Sequence, residues 1–404
     1  MHVKKLFLHL TFAIFFSFAL TSCKAQTPPA YKVPIKPISE YQQNIETVTN
    51  ALCGKQIVLL GENGFHGDGK TIAYKSDLVK SLVKKCDFNA VFFESSFYDF
   101  QAISMKADNQ ETITPEMVAS SMGWIRNQYQ EIFPLILFLY EGILSGELTV
   151  GGIDDQPGSR GSFYALEQMI IELTDPLPSD RQERCKTLLK QLIWSSHPKT
   201  SPYNYENRAR TKLCLREIRA EFGNMPEHSI KQMEMTSNLD RFMDRDFTST
   251  EVSVYQRDYS MFLNLEWLIQ QAPQNSKFIV WTANSHAAKN TSISSVEGKN
   301  LGAYVRKKYG DKSYALGFSA AGGTYMWGST KTKIIPQAPT NSLEAKALST
   351  ENGEIAFINA RQMVALGKIP SSVFGHKFRE SNWHTIFDGI VIFREEQPPK
   401  KIAP

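Results

Sequence analysis

Several polar side chains capable of chemistry stand directly after short apolar runs. Glu62 and His66 follow Ile57-Val58-Leu59-Leu60, and Glu94 follows Ala90-Val91-Phe92-Phe93. Asp154 follows Leu148-Thr149-Val150-Gly151-Gly152-Ile153, while Asn284 and His286 follow Phe278-Ile279-Val280-Trp281. Imidazoles and carboxylates in one place suggest hydrolysis. A neutral imidazole takes a proton from water as the water attacks a carbonyl. A neighbouring carboxylate fixes the imidazole tautomer and stabilises the imidazolium that forms. A second histidine polarises the carbonyl or protonates the leaving group. General-base assistance of this kind supplies roughly 10²–10⁴-fold, so oxyanion stabilisation must add more.

These residues need a scaffold that brings them to one edge. Continuous apolar runs of four to six residues are the pattern of strands buried on both faces. Helix-like stretches lie between them: 41–52, a pattern from Ile72 to Val83, 96–106, 114–121 and 128–145. Residues 160–270 carry no strand pattern and read as charged amphipathic helices, broken around Pro202. A short helix over 301–309, an apolar run at Tyr314–Phe318 and a last strand at Gly389–Phe393 follow. Strands alternating with helices predict an α/β fold, a largely parallel sheet flanked by helices, with 160–270 as a helical insertion or cap. The domain is expected over 41–396, with 397–404 as a tail. In such sheets ligands bind at the carboxyl ends of the strands, where the residues above would converge.

The chain has 404 residues, 42% hydrophobic and 21% charged, which excludes disordered, collagenous and coiled-coil classes. Lys+Arg 45 against Asp+Glu 41 gives +4, and no dense basic run points to nucleic acid. Lys4 and Lys5 precede an interrupted apolar run from Leu6 to Leu20, which reads as a signal-peptide core. It ends in Leu20-Thr21-Ser22-Cys23, which resembles a bacterial lipobox. Residues 1–22 are therefore expected to be removed, lowering the charge to +2, with Cys23 lipidated. Lys24, rather than an aspartate, follows the cysteine and directs the expectation to the outer membrane. Four prolines within 24–40 make a stiff tether after the lipid anchor. In an oxidising compartment Cys53, Cys86, Cys185 and Cys214 are candidates for disulfides. Three connectivities exist, and buried free thiols are the alternative. Cys53 with Cys86 fits parallel neighbouring strands, and Cys185 with Cys214 fits a helical hairpin.

The motifs taken together resemble a family. Gly61-Glu62 with His66-Gly67, then Phe93-Glu94, is similar to the erythromycin esterase-like family. Gly152-Ile153-Asp154, Arg257-Asp258 and Trp281-Thr282-Ala283-Asn284-Ser285-His286 continue the likeness in order. Gly302-Ala303-Tyr304, Tyr309-Gly310, Gly317-Phe318 and Phe387-Asp388 extend it, so that it covers about residues 45–393. The resemblance implies a metal-independent ester hydrolase with a cleft between an α/β core and a helical part, a small-molecule substrate and no cofactor. It maps the general base onto His66, its acidic companions onto Glu62 and Glu94, and a second histidine onto His286. Lys75, Asp154, Arg257 and Asn284 become candidates for substrate binding. The chain departs from the family twice. Lys75 stands where an arginine is expected, and Glu62 and His66 are separated by one residue more than in the family.

Other readings compete. Gly64-Phe65-His66-Gly67-Asp68-Gly69-Lys70-Thr71 satisfies the phosphate-loop pattern between a strand and a helix. Glu62, His66, Glu94 and His286 are acceptable ligands for a divalent ion, though their spacing matches no compact metal motif. A binding lipoprotein with the same cleft and a misplaced base is the third alternative. Trp124 and Glu131 are candidates to line the cleft, with Trp124 read first as core. His197, His228, His376 and His384 are read as surface or packing residues.

Overall fold

The computed structural model describes residues 40–123, 127–158, 162–165, 167–193, 205–225, 229–290, 299–328, 331–351 and 353–402. The signal segment, the tether, Cys23, Trp124, His197 and His228 lie outside the described residues.

The first half alternates helix and strand: α1 (Glu40–Leu52), β1 (Ile57–Leu60), α2 (Gly69–Cys86), β2 (Ala90–Ser96), α3 (Phe97–Asp108), α4 (Pro115–Ser121), α5 (Phe133–Ser145) and β3 (Thr149–Asp154). Five helices follow without a strand among the described residues: α6 (Gln168–Thr174), α7 (Ser179–Ile193), α8 (Tyr205–Gly223), α9 (Ile230–Met243) and α10 (Thr250–Gln271). The chain then returns through β4 (Phe278–Trp281), α11 (Asn284–Ala287), α12 (Leu301–Tyr309), β5 (Ser313–Ala320), β6 (Thr324–Trp327) and β7 (Lys331–Ile334). It closes with α13 (Leu343–Glu351), β8 (Ile355–Asn359), α14 (Ala360–Leu366), β9 (Ile369–Ser371), β10 (Arg379–Ser381), α15 (Trp383–Ile386) and β11 (Gly389–Phe393). No helix among the described residues is long and apolar enough to cross a membrane.

Seven strands form one sheet in the order β3-β2-β4-β1-β5-β11-β8. All pairings are parallel except β8 with β11. Alternate residues face opposite sides, and both sides are apolar. Ile57, Leu59, Phe92, Phe278 and Val280 enter one core cluster; Val58, Leu60, Phe93, Ile279 and Trp281 enter the other. That double burial explains the unbroken apolar runs. The strand β8 escapes a sequence reading because it lies at the sheet edge and is only partly buried, so it lacks the unbroken burial of the central strands. The ribbons β6–β7 and β9–β10 are also unforeseen additions outside the main sheet.

Register sets the site. Trp281 pairs with both Leu60 and Phe93, and Phe93 pairs with Gly152. The residues after these positions therefore emerge at one level of the carboxyl edge. A shift in the β2–β3 register between Phe93 and Ser96 turns this end of β2. Gly152 permits it: a Cβ there would lie 2.2 Å from the Ser96 carbonyl oxygen.

Two expectations change. The segment after residue 396 is no loose tail. Gly69 N donates to the Gln397 carbonyl (2.7 Å), Gln130 N to that of Lys400 (2.8 Å), and Tyr129 forms an antiparallel bridge with Lys401. Glu131 lines a pocket with Tyr41, Lys70 and Gln397, away from Glu94 and His286, and both its carboxylate oxygens accept from Lys400 N at 3.0 Å.

The structure pairs Cys53 with Cys86, and Cys185 with Cys214 across α7 and α8. The second closes a loop with a sequence separation of 29. Loop-closure entropy makes such a link worth about 3.5 kcal/mol. Cys185→Ser should lower the unfolding free energy by about that amount in urea denaturation, and Cys185→Ser/Cys214→Ser should cost little more.

Candidate active site

The loop after β1 begins with close packing. Asn284 sits so near Gly61 that a Cβ would lie 2.1 Å from its Oδ1. Glu62 comes next and is buried. Its Oε2 accepts from Lys75 Nζ (3.1 Å) and from Trp281 Nε1 (2.8 Å). Its Oε1 lies 2.7 Å from His66 Nδ1. An ionised carboxylate only accepts, so Nδ1 of His66 carries a proton toward it.

The extra loop residue does not turn His66 away. A turn closes from His66 N to the Asn63 carbonyl at 2.9 Å, and His66 adopts the left-handed conformation with φ 54°. That conformation costs a non-glycine residue about 1–2 kcal/mol and is held by the surroundings. Phe65 stacks on Trp327 (centroids 4.0 Å) and Tyr325 (5.5 Å), and Met326 N donates to the Gly67 carbonyl at 2.8 Å. The β6–β7 ribbon thus braces the loop. The His66 side chain retains 16% exposure against 2% for Glu62, so the imidazole is the solvent-ward member of the pair.

A second group forms around Glu94, at the turned end of β2. Its Oε1 receives Arg257 Nη2 (3.1 Å) and stands 3.3 Å from His286 Nε2. Its Oε2 accepts from Thr282 Oγ1 and Ala283 N, both at 2.9 Å. Burial alone would raise the Glu94 pKa, but His286, Arg257 and His66 outweigh it and hold the group well below the usual carboxylate range. Arg257 also grips Asp154 with two donors, Nε to Oδ1 at 3.1 Å and Nη2 to Oδ2 at 2.6 Å. Burial pushes the Asp154 pKa up, yet Arg257 dominates and lowers it.

His286 opens α11 close behind β4. Its Nδ1 is 2.7 Å from Asp258 Oδ1, which also accepts Leu301 N at 2.9 Å. Desolvation disfavours its charged form, but Asp258 and Glu94 overcome this and raise its pKa to about 10. His286 is therefore an imidazolium at neutral pH.

The expected residues accordingly fall into two sets. His66, Glu62, Glu94, His286, Arg257 and Asp154 assemble at the carboxyl edge of the sheet. Lys75 and Asn284, expected to bind substrate, serve the framework instead. Lys75 is fully buried, with Nζ on Glu62 and 4.1 Å from the centroid of the Trp281 ring. Asn284 Nδ2 donates to the carbonyls of Phe318 and Val373, both at 2.8 Å, and its Oδ1 accepts from Phe318 N. Its amide groups tie β4 to β5 and to the loop at 373.

The phosphate-loop reading fails on a carboxyl group supplied by the chain itself. Glu396 receives Lys70 N (2.6 Å), Thr71 N (3.2 Å) and Thr71 Oγ1 (2.8 Å), and so occupies the amides that a phosphate would need. Burial and the nearby Asp68 push its pKa up to about 8. Of the two readings given to His376, the packing one holds: it is buried, with Nε2 at 3.1 Å from Asp68 Oδ1 and its ring against Tyr325. Among the described residues, the group with atoms close enough to hold a metal ion is Cys185, Cys214 and Glu217, whose two cysteines are joined in a disulfide.

Sequence reasoning missed the supporting hydrogen-bond partners. Asp258 adjoins Arg257 and was open to recognition as the partner of His286. Thr282 and Trp281 lie inside a motif already singled out. Glu396 had no local signal, being 326 positions from Lys70.

Comparison with known proteins places these features in context. The model of the erythromycin esterase family matches residues 162–395, more than half of the chain. YbfO of Bacillus subtilis (strain 168), named as a hydrolase, is 22% identical over 346 residues, covering 77% of this chain and 76% of its own. A crystal structure titled as a succinoglycan biosynthesis protein superposes with a TM-score of 0.69 at 17% identity, covering 91% of this chain and 93% of the other. A Bacillus cereus protein gives 0.68 at 16%, with 91% and 95% covered. A histidine-to-asparagine mutant of the erythromycin esterase EreC in its open conformation gives 0.61 at 15%, with 89% and 94% covered. These structural likenesses establish the fold.

The raised pKa of His286 has a signed consequence. An unfolded imidazole titrates near about 6.5. The stabilisation from pairing His286 is complete below that value and is lost as pH rises toward about 10. Urea denaturation from pH 6 to 10 should show wild-type stability falling more steeply than that of His286→Gln. Parallel curves would overturn the assignment of an imidazolium.

Proposed function

The chain belongs to the erythromycin esterase family, and on that premise we propose that it is a metal-independent ester hydrolase in which His66 activates water. The observation that carries this reading is the 2.7 Å contact between His66 Nδ1 and Glu62 Oε1, made by an imidazole that keeps solvent access. Glu62 fixes the tautomer, so Nε2 takes the proton from the attacking water. As His66 becomes an imidazolium, the Glu62 carboxylate offsets the new charge.

The opposite half of the reaction needs positive charge and a proton donor. Arg257 and the His286 imidazolium supply these next to Glu94. In this reading they stabilise the oxyanion of the tetrahedral intermediate, and His286 hands a proton to the departing alkoxide. Asp258 behind His286 keeps its other nitrogen protonated and its ring in place. Collapse of the intermediate breaks the ester C–O bond and yields a carboxylic acid and an alcohol.

The charge network supports independence from metal. The oxygens of Glu94 and Asp154 accept from Arg257, His286, Thr282 and backbone N–H groups, a hydrogen-bonded arrangement rather than a ligand set. The substrate is a small-molecule ester.

We further propose that Cys23 carries a lipid that anchors the enzyme to the outer membrane, on the strength of Leu20-Thr21-Ser22-Cys23 and the lysine after it.

Two experiments test these statements. His66→Ala should reduce hydrolysis of a chromogenic ester by about 10²–10⁴-fold with unchanged circular dichroism, while treatment with a chelator leaves the wild-type rate intact. Retained activity in the variant would overturn the role of His66, and chelator-sensitive activity restored by a divalent ion would overturn metal independence. For the anchor, Cys23→Ser should move the protein from the membrane fraction to the soluble fraction of expressing bacteria.

A further inference from the structure

A groove of about 390 Å³ lies where the end of α9, the first half of α10 and the start of α12 meet. Its walls include Arg245, Arg241, Tyr255, Tyr259, Tyr304 and Lys299. It is large enough for one small ring compound.

The charges on these walls are not all equally engaged. Arg241 donates through Nη2 to Glu234 (2.9 Å) and Asn264 (2.6 Å). Asp244, the acid on the wall, is paired with Lys212 at 2.6 Å. Arg245 differs. It is 3% exposed, and one end of its guanidinium pairs with Asp155, but its Nε–H is buried with no acceptor. A charged donor left in that state costs more than a neutral one, so the site favours an anionic acceptor. Lys299, its ammonium 4.7 Å from the centroid of the Tyr255 ring, adds a second positive charge at an exposed position.

The remaining walls are aromatic. Tyr259 and Tyr304 lie with ring centroids 5.3 Å apart, and Phe262 stacks on Tyr304 at 5.4 Å. Such faces take up a flat ring by stacking or edge contact. One buried guanidinium N–H and one exposed ammonium match a monoanion; a phosphate dianion would bring more charge than they offset.

We propose that this groove is a binding site for a small carboxylate carried on a planar ring, with Arg245 and Lys299 receiving the carboxylate and Tyr259 and Tyr304 the ring. The site adjoins the charge network without being part of it. Arg245 and Arg257 hold the successive residues Asp155 and Asp154, and the Asp258 charge that holds His286 also acts on the Tyr304 phenol. The proposal concerns binding and stands whether or not the chain hydrolyses esters.

Titration calorimetry of the full chain with benzoate, benzamide and inorganic phosphate tests it. Benzoate should bind saturably, and benzamide, of the same shape but neutral, about ten-fold more weakly or worse. Tyr304→Ala and Lys299→Ala should each weaken benzoate about five-fold or more while His66→Ala leaves it unchanged. Both groove variants lie outside the buried ion pairs, and circular dichroism checks that they fold. Absence of benzoate binding, equal affinity for benzamide, tighter binding of phosphate, or indifference to Tyr304→Ala would each overturn the proposal.

Discussion

Charge compensation at the carboxyl edge of the sheet is the constraint on which the rest of the structure depends. Glu94, Asp154, Asp258, Arg257 and His286 are all drawn away from water there. An isolated buried ion costs several kcal/mol even after relaxation, so none of them is tolerable alone. They survive because their signs alternate: Asp154, Arg257, Glu94, His286, Asp258. Three anions and two cations leave one negative charge, which backbone N–H groups of Ala283 and Leu301 help to solvate. Removing any inner member would leave two like charges facing each other. The turned end of β2, the glycine opposite it and the amide clamp of Asn284 exist to hold this sequence of charges in register.

The same arrangement makes two identical side chains chemically different. His286 lies between two carboxylates, and their attraction exceeds the desolvation penalty, so it stays protonated. His66 meets one carboxylate that already serves Lys75 and Trp281, and it keeps contact with solvent. On the proposed reading one imidazole accepts a proton and the other gives one, which is the polarity that ester cleavage requires. The difference arises from environment and not from residue type.

The sequence made the parallel strands legible because burial on both faces leaves no polar alternation, and each strand announced the polar residue after it. His66, Glu62, Glu94 and His286 were readable for that reason. Lys75 and Asn284 were placed in the right neighbourhood and given the wrong task, since a motif position does not tell whether a side chain points at ligand or at its own backbone. Glu396 was not readable at all. Its role at the start of α2 depends on a pairing between distant parts of the chain, and no periodicity records such a contact. The resemblance of 64–71 to a phosphate loop was a true reading of backbone N–H groups that converge on an acceptor, and the acceptor is the Glu396 carboxyl group.

Glu62 is the point at which Lys75 and the loop of His66 meet. An arginine at position 75 could address both oxygens of Glu62 with its planar fork. Lysine is a point charge and meets Oε2 at 3.1 Å, where the Trp281 indole joins it at 2.8 Å. Oε1 is thereby left for His66. The longer loop brings His66 to that oxygen through a left-handed turn, and the stacking of Phe65 on Trp327 and Tyr325 offsets the strain of the turn. A guanidinium in place of Lys75 would compete with the imidazole for the same lone pairs.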